Sequence, residues 1–172
     1  MAPTDFAKAL SQYLGVYLPG QRNLSTNTLK SYRDTFKLFL GYCKQDCHLA
    51  IEKLCLRHID KRLILGFLDW LEQDRHNGVS TINQRLACLH GFYQYLQLEE
   101  PAELLACQKI LSIPMKKGPA PTINYLTPAA LKLILAQPDA SKAHGRRDLT
   151  LLCVLYDTRA RVHEGPTLCI QY

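Results

Sequence analysis

Apolar residues recur every three or four positions along most of the chain, the spacing that places them on one face of an α-helix. Short polar residues stand before several of these stretches, where Thr4, Ser25 and Thr127 are suited to cap a helix. Pro19-Gly20 and Asn77-Gly78 follow two of the stretches and are typical of helix ends and turns. The pattern predicts helices over 4–17, 25–44, 60–75, 81–97, 101–110, 128–136 and 146–160.

The organisation of the chain follows from what separates these helices. No stretch before residue 120 alternates apolar and polar positions with period two, so residues 1–112 are predicted to form an all-α bundle. Residues 113–121 hold three prolines and two lysines, which is typical of a semi-rigid, basic linker. We therefore predict a helical domain over 1–112, a linker over 113–124 and a second part over 125–172.

Composition narrows the class of protein. The chain of 172 residues has 21 Lys and Arg against 15 Asp and Glu, and the excess lies in residues 1–50 and 101–172. No apolar run is long enough to cross a membrane, and the first residues do not resemble a secretory signal, so we expect a cytoplasmic protein. The seven cysteines are odd in number and lack the CxxC spacing of a zinc knuckle, so neither disulfides nor a metal site is predicted.

Two predicted helices carry residues suited to nucleic acid. Lys30, Arg33, Lys37 and Lys44 share one strip of the second helix, and the hydroxyl and amide residues 25–28 stand at its start. The fourth helix opens with Thr81, Asn83, Gln84 and Arg85, side chains that can bind base edges or phosphates. A solvated helix face would give the same strip, and a capping box would equally explain Thr81 with Gln84.

Several segments, in their order along the chain, resemble the tyrosine recombinase (phage integrase) family. Its core-binding domain is matched by 28–32 with Phe36 and Phe39, by 80–87, and by 92–96. The passage into its catalytic domain is matched by 125–128, and its first catalytic box by 145–148 with 156–164. The resemblance implies a helical SAM-like core-binding bundle, followed by a linker and an incomplete, mainly helical fragment of the catalytic domain.

The resemblance also implies a chemistry. In this family the arginine matched by Arg161 contacts the scissile phosphate, and a tyrosine nucleophile forms the covalent bond to DNA without metal or other cofactor. The chain departs from the pattern at Arg159, where the family usually has glycine, and from Gly165 onward, where the family has an apolar helix. Because the later catalytic boxes have no match, we expect a truncated chain that cannot cleave DNA alone.

The expected partner is double-stranded DNA, with other recombinase protomers as a further class of partner and no membrane or small-molecule substrate. The residues expected to face DNA are Thr28, Lys30, Arg33, Thr81, Asn83, Arg85, Lys116 and Lys117. Two alternatives stay open from the sequence. One is a helical protein-interaction module whose last helix docks into a partner, and the other is a non-functional remnant of a mobile-element integrase.

Overall fold

A computed structural model of the chain describes residues 2–22, 24–118 and 125–158. Its contacts divide the chain into two compact units, Met1–Pro119 and Ala120–Tyr172, with the boundary inside the predicted linker. The described residues form α-helices, one π-helix and short 3-10 turns, and they contain no strand. This confirms the all-α class, whereas the proposed boundaries at 112 and 125 stay a prediction.

The described part of the first unit holds five α-helices. They are α1 (Asp5–Gln12), α2 (Thr26–Gln45), α3 (Lys61–Gln73), α4 (Val79–Glu99) and α5 (Leu104–Leu111). The side chains of Thr4, Ser25 and Asp60 each accept a hydrogen bond from a backbone N–H in the first turn of α1, α2 and α3. The helix starts that depend on local caps are thus the ones that the sequence predicts best.

Two predicted boundaries were wrong. The first helix does not stop before Pro19, because α1 continues as a π-helix over Tyr13–Gln21 that contains this proline. Helix α4 begins two residues earlier than expected, with Gly78 at its N-cap. Thr81 and Gln84 therefore form no capping box, and the Gln84 amide donates to the Ser31 hydroxyl at 3.0 Å instead.

Aromatic side chains hold the core of the first unit together. The Phe92 ring of α4 is fully buried and meets the rings of Phe6, Tyr13 and Phe36 edge-on, at centroid distances of 6.0, 5.3 and 5.3 Å. Such edge-to-face pairs add stabilisation beyond the burial of their area. These contacts fix α1, α2 and α4 against one another, and so they fix the surface where α2 and α4 meet.

The described part of the second unit holds two helices, α6 (Pro128–Leu135) and α7 (Ala143–Thr158). The Thr127 hydroxyl accepts from the backbone N–H of Ala130 at 3.2 Å, which confirms the predicted cap of α6. Gly145 is buried so tightly that a Cβ there would collide with the backbone of Asp139. Leu133 and Tyr156 are mostly exposed. Within the described ranges, no helix is long and apolar enough to span a membrane.

Candidate nucleic-acid interface

A groove lies between the N-terminal turns of α2 and α4. It has a volume of about 410 Å³ and is lined by Asn27, Thr28, Ser31, Tyr32, Gln84, Ala87 and Cys88. The Ser25 and Thr28 hydroxyls lie 2.9 Å apart at its edge, and Ser31 accepts the hydrogen bond from Gln84 across it. The lining offers hydroxyl and amide groups but no charge, which is the chemistry of contacts to base edges and sugar-phosphate oxygens.

Arg85 joins the two helices beneath this groove. Its Nη1 donates to the backbone oxygen of Ser31 at 3.2 Å and to the Thr35 hydroxyl at 3.0 Å. Thr35 is fully buried and donates in turn to the same Ser31 oxygen at 2.8 Å. Both acceptors are neutral, and Nε of Arg85 is buried without a hydrogen-bond partner among the described residues. The guanidinium therefore braces α4 against α2 while its charge is not neutralised by a carboxylate.

A strip of basic side chains runs along the outside of α2. Lys30, Arg33, Lys37 and Lys44 are all exposed, and positions three, four or seven apart lie on one side of a helix. In the part of the chain that the structure describes, none of the four has an acidic partner. The strip is consequently available to anions such as DNA phosphates.

A second cleft extends this positive charge between α2, α3 and α4. It measures about 410 Å³, and Lys37, Arg75 and Arg85 line it together with Asp34. The guanidinium of Arg75 lies 5.4 Å from the centre of the Trp70 ring, a cation–π arrangement that holds this cation in place. Three cations against one carboxylate leave this side of the unit positive.

The start of the predicted linker is tied to α4. The Asn83 amide donates to the backbone oxygen of Lys116 at 2.8 Å, and its oxygen accepts from the backbone N–H of Lys116 at 2.9 Å. The Lys116 ammonium forms an ion pair with Glu72 at 2.6 Å. Lys117, by contrast, is exposed and has no such partner among the described residues.

The predicted DNA-facing residues thus fall into two groups. Lys30, Arg33 and Lys117 are exposed, while Thr28 and Thr81 are half-buried near the start of α2 and α4. The side chains of the remaining three, Asn83, Arg85 and Lys116, are engaged within the protein. Arg161, the predicted phosphate-binding arginine, lies outside the described residues.

Sequence reasoning did not find Glu72, Trp70 or Arg75. The partner of Glu72 is 44 residues away along the chain, so helical periodicity carries no signal of it. Trp70 and Arg75 straddle the end of α3, where the sequence shows only an aromatic residue before a turn. A cation five residues after a tryptophan is a weak local hint, and the fold is needed to join it to α2 and α4.

A third cleft, of about 560 Å³, lies on the side of α4 near the π-helix, and Tyr13, Tyr32 and His90 are among its lining residues. Burial raises the pKa of the Tyr13 and Tyr32 phenols, and burial lowers the pKa of His90 from its usual 6.5. These tyrosines therefore stay protonated and this histidine stays neutral at neutral pH. Over the described ranges, no cluster of three or more His, Cys, Asp or Glu residues could hold a metal ion.

Comparison with known proteins places these features in a family. Residues 10–100, just over half of the chain, match the model of the phage integrase N-terminal SAM-like domain. A Sinorhizobium fredii protein with the provisional name integrase/recombinase y4rD is 34% identical over 159 residues, which are 92% of this chain and 57% of that protein. The tyrosine recombinase XerD of Pseudomonas putida is 32% identical over 150 residues, 87% of this chain and 47% of that protein.

A more distant relative, the tyrosine recombinase XerC of Syntrophus aciditrophicus, is 28% identical over 155 residues, 86% of this chain and 47% of that protein. The chain spans about half the length of the curated relatives it matches. No solved structure gives a significant match. The helical fold of residues 10–100 and the matches along most of the chain agree, and the protein belongs to the tyrosine recombinase (phage integrase) family.

Proposed function

We propose that this chain binds double-stranded DNA, within site-specific recombination, through the groove between α2 and α4 and the basic strip of α2. The observation that carries the proposal is that the N-terminal half of α2 presents both kinds of group. Hydroxyl and amide groups line the groove, and Lys30 and Arg33, exposed and without an acidic partner among the described residues, lie on another face of the same turns. A duplex presents both base edges and phosphates, so polar groups and unpaired positive charge on one helix suit its contacts.

The eight candidate residues would have two roles, direct contact with DNA and support of the residues that make the contacts. Lys30, Arg33 and Lys117 would neutralise phosphates, and the hydroxyls of Thr28 and Thr81 would donate to phosphates or base edges. The other three residues, Asn83, Arg85 and Lys116, would belong to the interface as supports, because their polar groups already bond to protein atoms. The DNA would therefore be held mainly through its backbone, and binding would weaken steeply as salt rises.

The chemistry of the family remains a proposal for this chain. We propose Arg161 as the residue that contacts the scissile phosphate, since a guanidinium can hold two phosphate oxygens and stabilise the charge of the transition state. The 172 residues contain no match for the family's tyrosine nucleophile or later catalytic boxes. Their proposed activity by themselves is thus binding without strand cleavage, and other recombinase protomers on the same DNA are proposed as further partners.

Exposed apolar side chains on the second unit favour protein contact as a second candidate function. Leu133 is 67% exposed, Leu151 47% and Tyr156 61%, and large exposed apolar surface is typical of interaction sites. Substituting these three residues with serine would then change the size of the particle in solution. If DNA binding is the function of the first unit, the same changes would leave the salt dependence of DNA affinity unaltered.

Fluorescence anisotropy with a mixed-sequence duplex tests the proposal. The Lys30→Gln/Arg33→Gln variant should lower the salt slope, d log K/d log[salt], by about 1.8 in magnitude, because each lost phosphate contact contributes about 0.9. The matched control is Lys53→Gln/Arg57→Gln, which removes the same charge from the exposed 3-10 turns. Equal losses of affinity in both variants would mean that net charge, and not the α2 strip, attracts the DNA, and would refute the interface.

A further inference from the structure

We infer that Asn83 and Glu72 are positioning residues that latch the start of the linker onto α4 and so aim Lys117 at the DNA backbone. The latch is a feature of the first unit by itself, whereas the aiming of Lys117 rests on the proposed DNA binding. The two parts therefore have separate tests.

The amide of Asn83 meets the linker backbone through both of its polar atoms. It donates to the Lys116 oxygen at 2.8 Å and accepts from the Lys116 N–H at 2.9 Å, as a neighbouring strand would. Aspartate lacks the donor and alanine lacks both groups, so neither could form this pair of bonds. With both atoms used in this way, Asn83 has little capacity left to read a base.

A second bond fixes the same residue from its other end. The Lys116 ammonium lies 2.6 Å from a carboxylate oxygen of Glu72, on α3, and both side chains are little more than one third exposed. Lys116 is thus held by its backbone to α4 and by its side chain to α3. Asn83 and Glu72, which are 33 and 44 positions away from Lys116 in sequence, both bond to this one linker residue.

Flanking contacts extend the attachment on both sides. Before the latch, the Lys61 ammonium donates to the Ser112 hydroxyl at 3.0 Å, and the side chain of Ile113 is only 3% exposed. After it, a Cβ on Gly118 would already touch the side chain of Val79, at 3.4 Å. The segment 112–118 is accordingly packed along α3 and α4.

The latch determines where the first unpaired lysine of the linker lies. Lys116 bonds to Asn83, and Gly118 approaches the side chain of Val79, the first residue of α4. Lys117 therefore emerges beside the first turns of α4, on the face that carries Val79 and Asn83. A free linker would spread this ammonium over many positions, whereas the latched one presents it in one place, which lowers the entropy lost on contact with a phosphate.

Limited trypsin digestion without DNA tests the latch. Trypsin cleaves after Lys116 and Lys117, and the rate follows the population of the open segment when opening is fast. We expect Asn83→Ala to speed this cleavage roughly tenfold, equivalent to about 1.4 kcal/mol, and Glu72→Gln to speed it by a smaller factor. Asn77→Ala is the matched control, because it also removes hydrogen bonds from an asparagine amide to backbone oxygens. These are the oxygens of Leu71 and Arg75, which do not belong to the linker.

A rate at this site that is unchanged in both Asn83→Ala and Glu72→Gln would overturn the latch, and so would an equal rise in Asn77→Ala. Far-UV circular dichroism shows whether each variant folds. If Asn83→Ala does not fold, the trypsin cleavage rate of Glu72→Gln still tests the latch. Because no DNA is present, these results do not depend on the proposed function.

A double-mutant cycle tests the aiming of Lys117. In the wild-type background, Lys117→Ala should reduce the magnitude of the salt slope for duplex DNA by about 0.9. In the Asn83→Ala background the same substitution should have less than half of that effect, because the lysine is no longer held near the DNA. Fully additive effects would overturn the positioning role. If the wild-type chain does not bind DNA at all, the proposed function fails while the trypsin result stands.

Discussion

Arg85 gives the sharpest contrast between a residue that supports the interface and one that contacts DNA. The informative substitution is Arg85→Met, which keeps most of the side chain's apolar stem but removes the guanidinium. Its counterpart is Lys30→Met, which removes one charge from an exposed position of α2. Both changes lower the net charge by one, so any difference between them comes from the place of each residue in the fold.

The expected cost of Arg85→Met follows from its contacts. Two hydrogen bonds from a charged donor are lost, those to the Ser31 oxygen and to the Thr35 hydroxyl, which costs about 3–6 kcal/mol in stability. The substitution also removes the buried Nε that has no partner, which offsets this cost by about 1 kcal/mol. The Ser31 oxygen keeps its bond from Thr35. The net loss is therefore about 2–5 kcal/mol, against less than about 0.5 kcal/mol for Lys30→Met.

Urea unfolding measures the stability of both variants, and fluorescence anisotropy measures the salt slope of their DNA binding. Arg85→Met should lower the free energy of unfolding and leave the salt slope of DNA binding unchanged, whereas Lys30→Met should preserve stability and reduce the magnitude of that slope by about 0.9. An Arg85→Met variant of wild-type stability whose salt slope falls by one phosphate would show that Arg85 contacts DNA directly, and the division into contacts and supports would be wrong.

Three further predictions concern the first unit itself. A Cβ at Gly91 would lie 2.8 and 2.9 Å from two tyrosine hydroxyls, while a Cβ at Gly41 would meet open space. Urea unfolding should therefore show Gly91→Ala destabilised by about 1 kcal/mol and Gly41→Ala stabilised by up to about 1 kcal/mol. A stabilised Gly91→Ala variant would contradict the packing around this glycine. Burial raises the pKa of the Cys43 thiol to about 12, and Cys43 is buried whereas Cys47 is half-exposed. Mass spectrometry after iodoacetamide treatment at pH 8 should therefore show Cys47 modified before Cys43. Early labelling of Cys43 would mean that its helix opens. Burial lowers the pKa of His90 below 6.5, so the unfolded chain takes up the proton more readily and stability should fall as pH drops below 6.5. Between pH 7.5 and 5.5, the free energy of unfolding should therefore fall less in His90→Gln than in the wild type. An equal fall in both would show that His90 is not the cause.

The sequence predicts the helices well where the signals are local. A capping side chain with an amphipathic stripe behind it was enough for α2 and α6, whose caps, Ser25 and Thr127, both form. It failed at α4, where Gly78 takes the N-cap position without a side chain and its oxygen accepts from the backbone N–H groups of Thr81 and Ile82. A glycine in this role looks like a turn when only neighbouring residues are considered.

The candidate site is harder to predict because its geometry is non-local. Residue type predicted that Asn83 and Lys116 face DNA, but only the fold shows that they bond to each other across 33 positions. Likewise, Arg85 stands in the first turns of α4 like a residue that would face a ligand, yet its guanidinium turns toward Thr35 of α2. Such pairings depend on how helices pack, which hydrophobic periodicity does not determine.

The salt dependence of DNA binding by the unmodified chain shows whether the assigned cations contact phosphates. With Lys30, Arg33 and Lys117 on phosphates, log K for a mixed-sequence duplex should fall with log[salt] at a slope of about −2.7, since each contact contributes about −0.9. Anisotropy across a range of sodium chloride concentrations measures it. No binding at low salt in a sample shown to be helical, or binding whose slope is close to zero, would contradict the assignment of this surface to DNA.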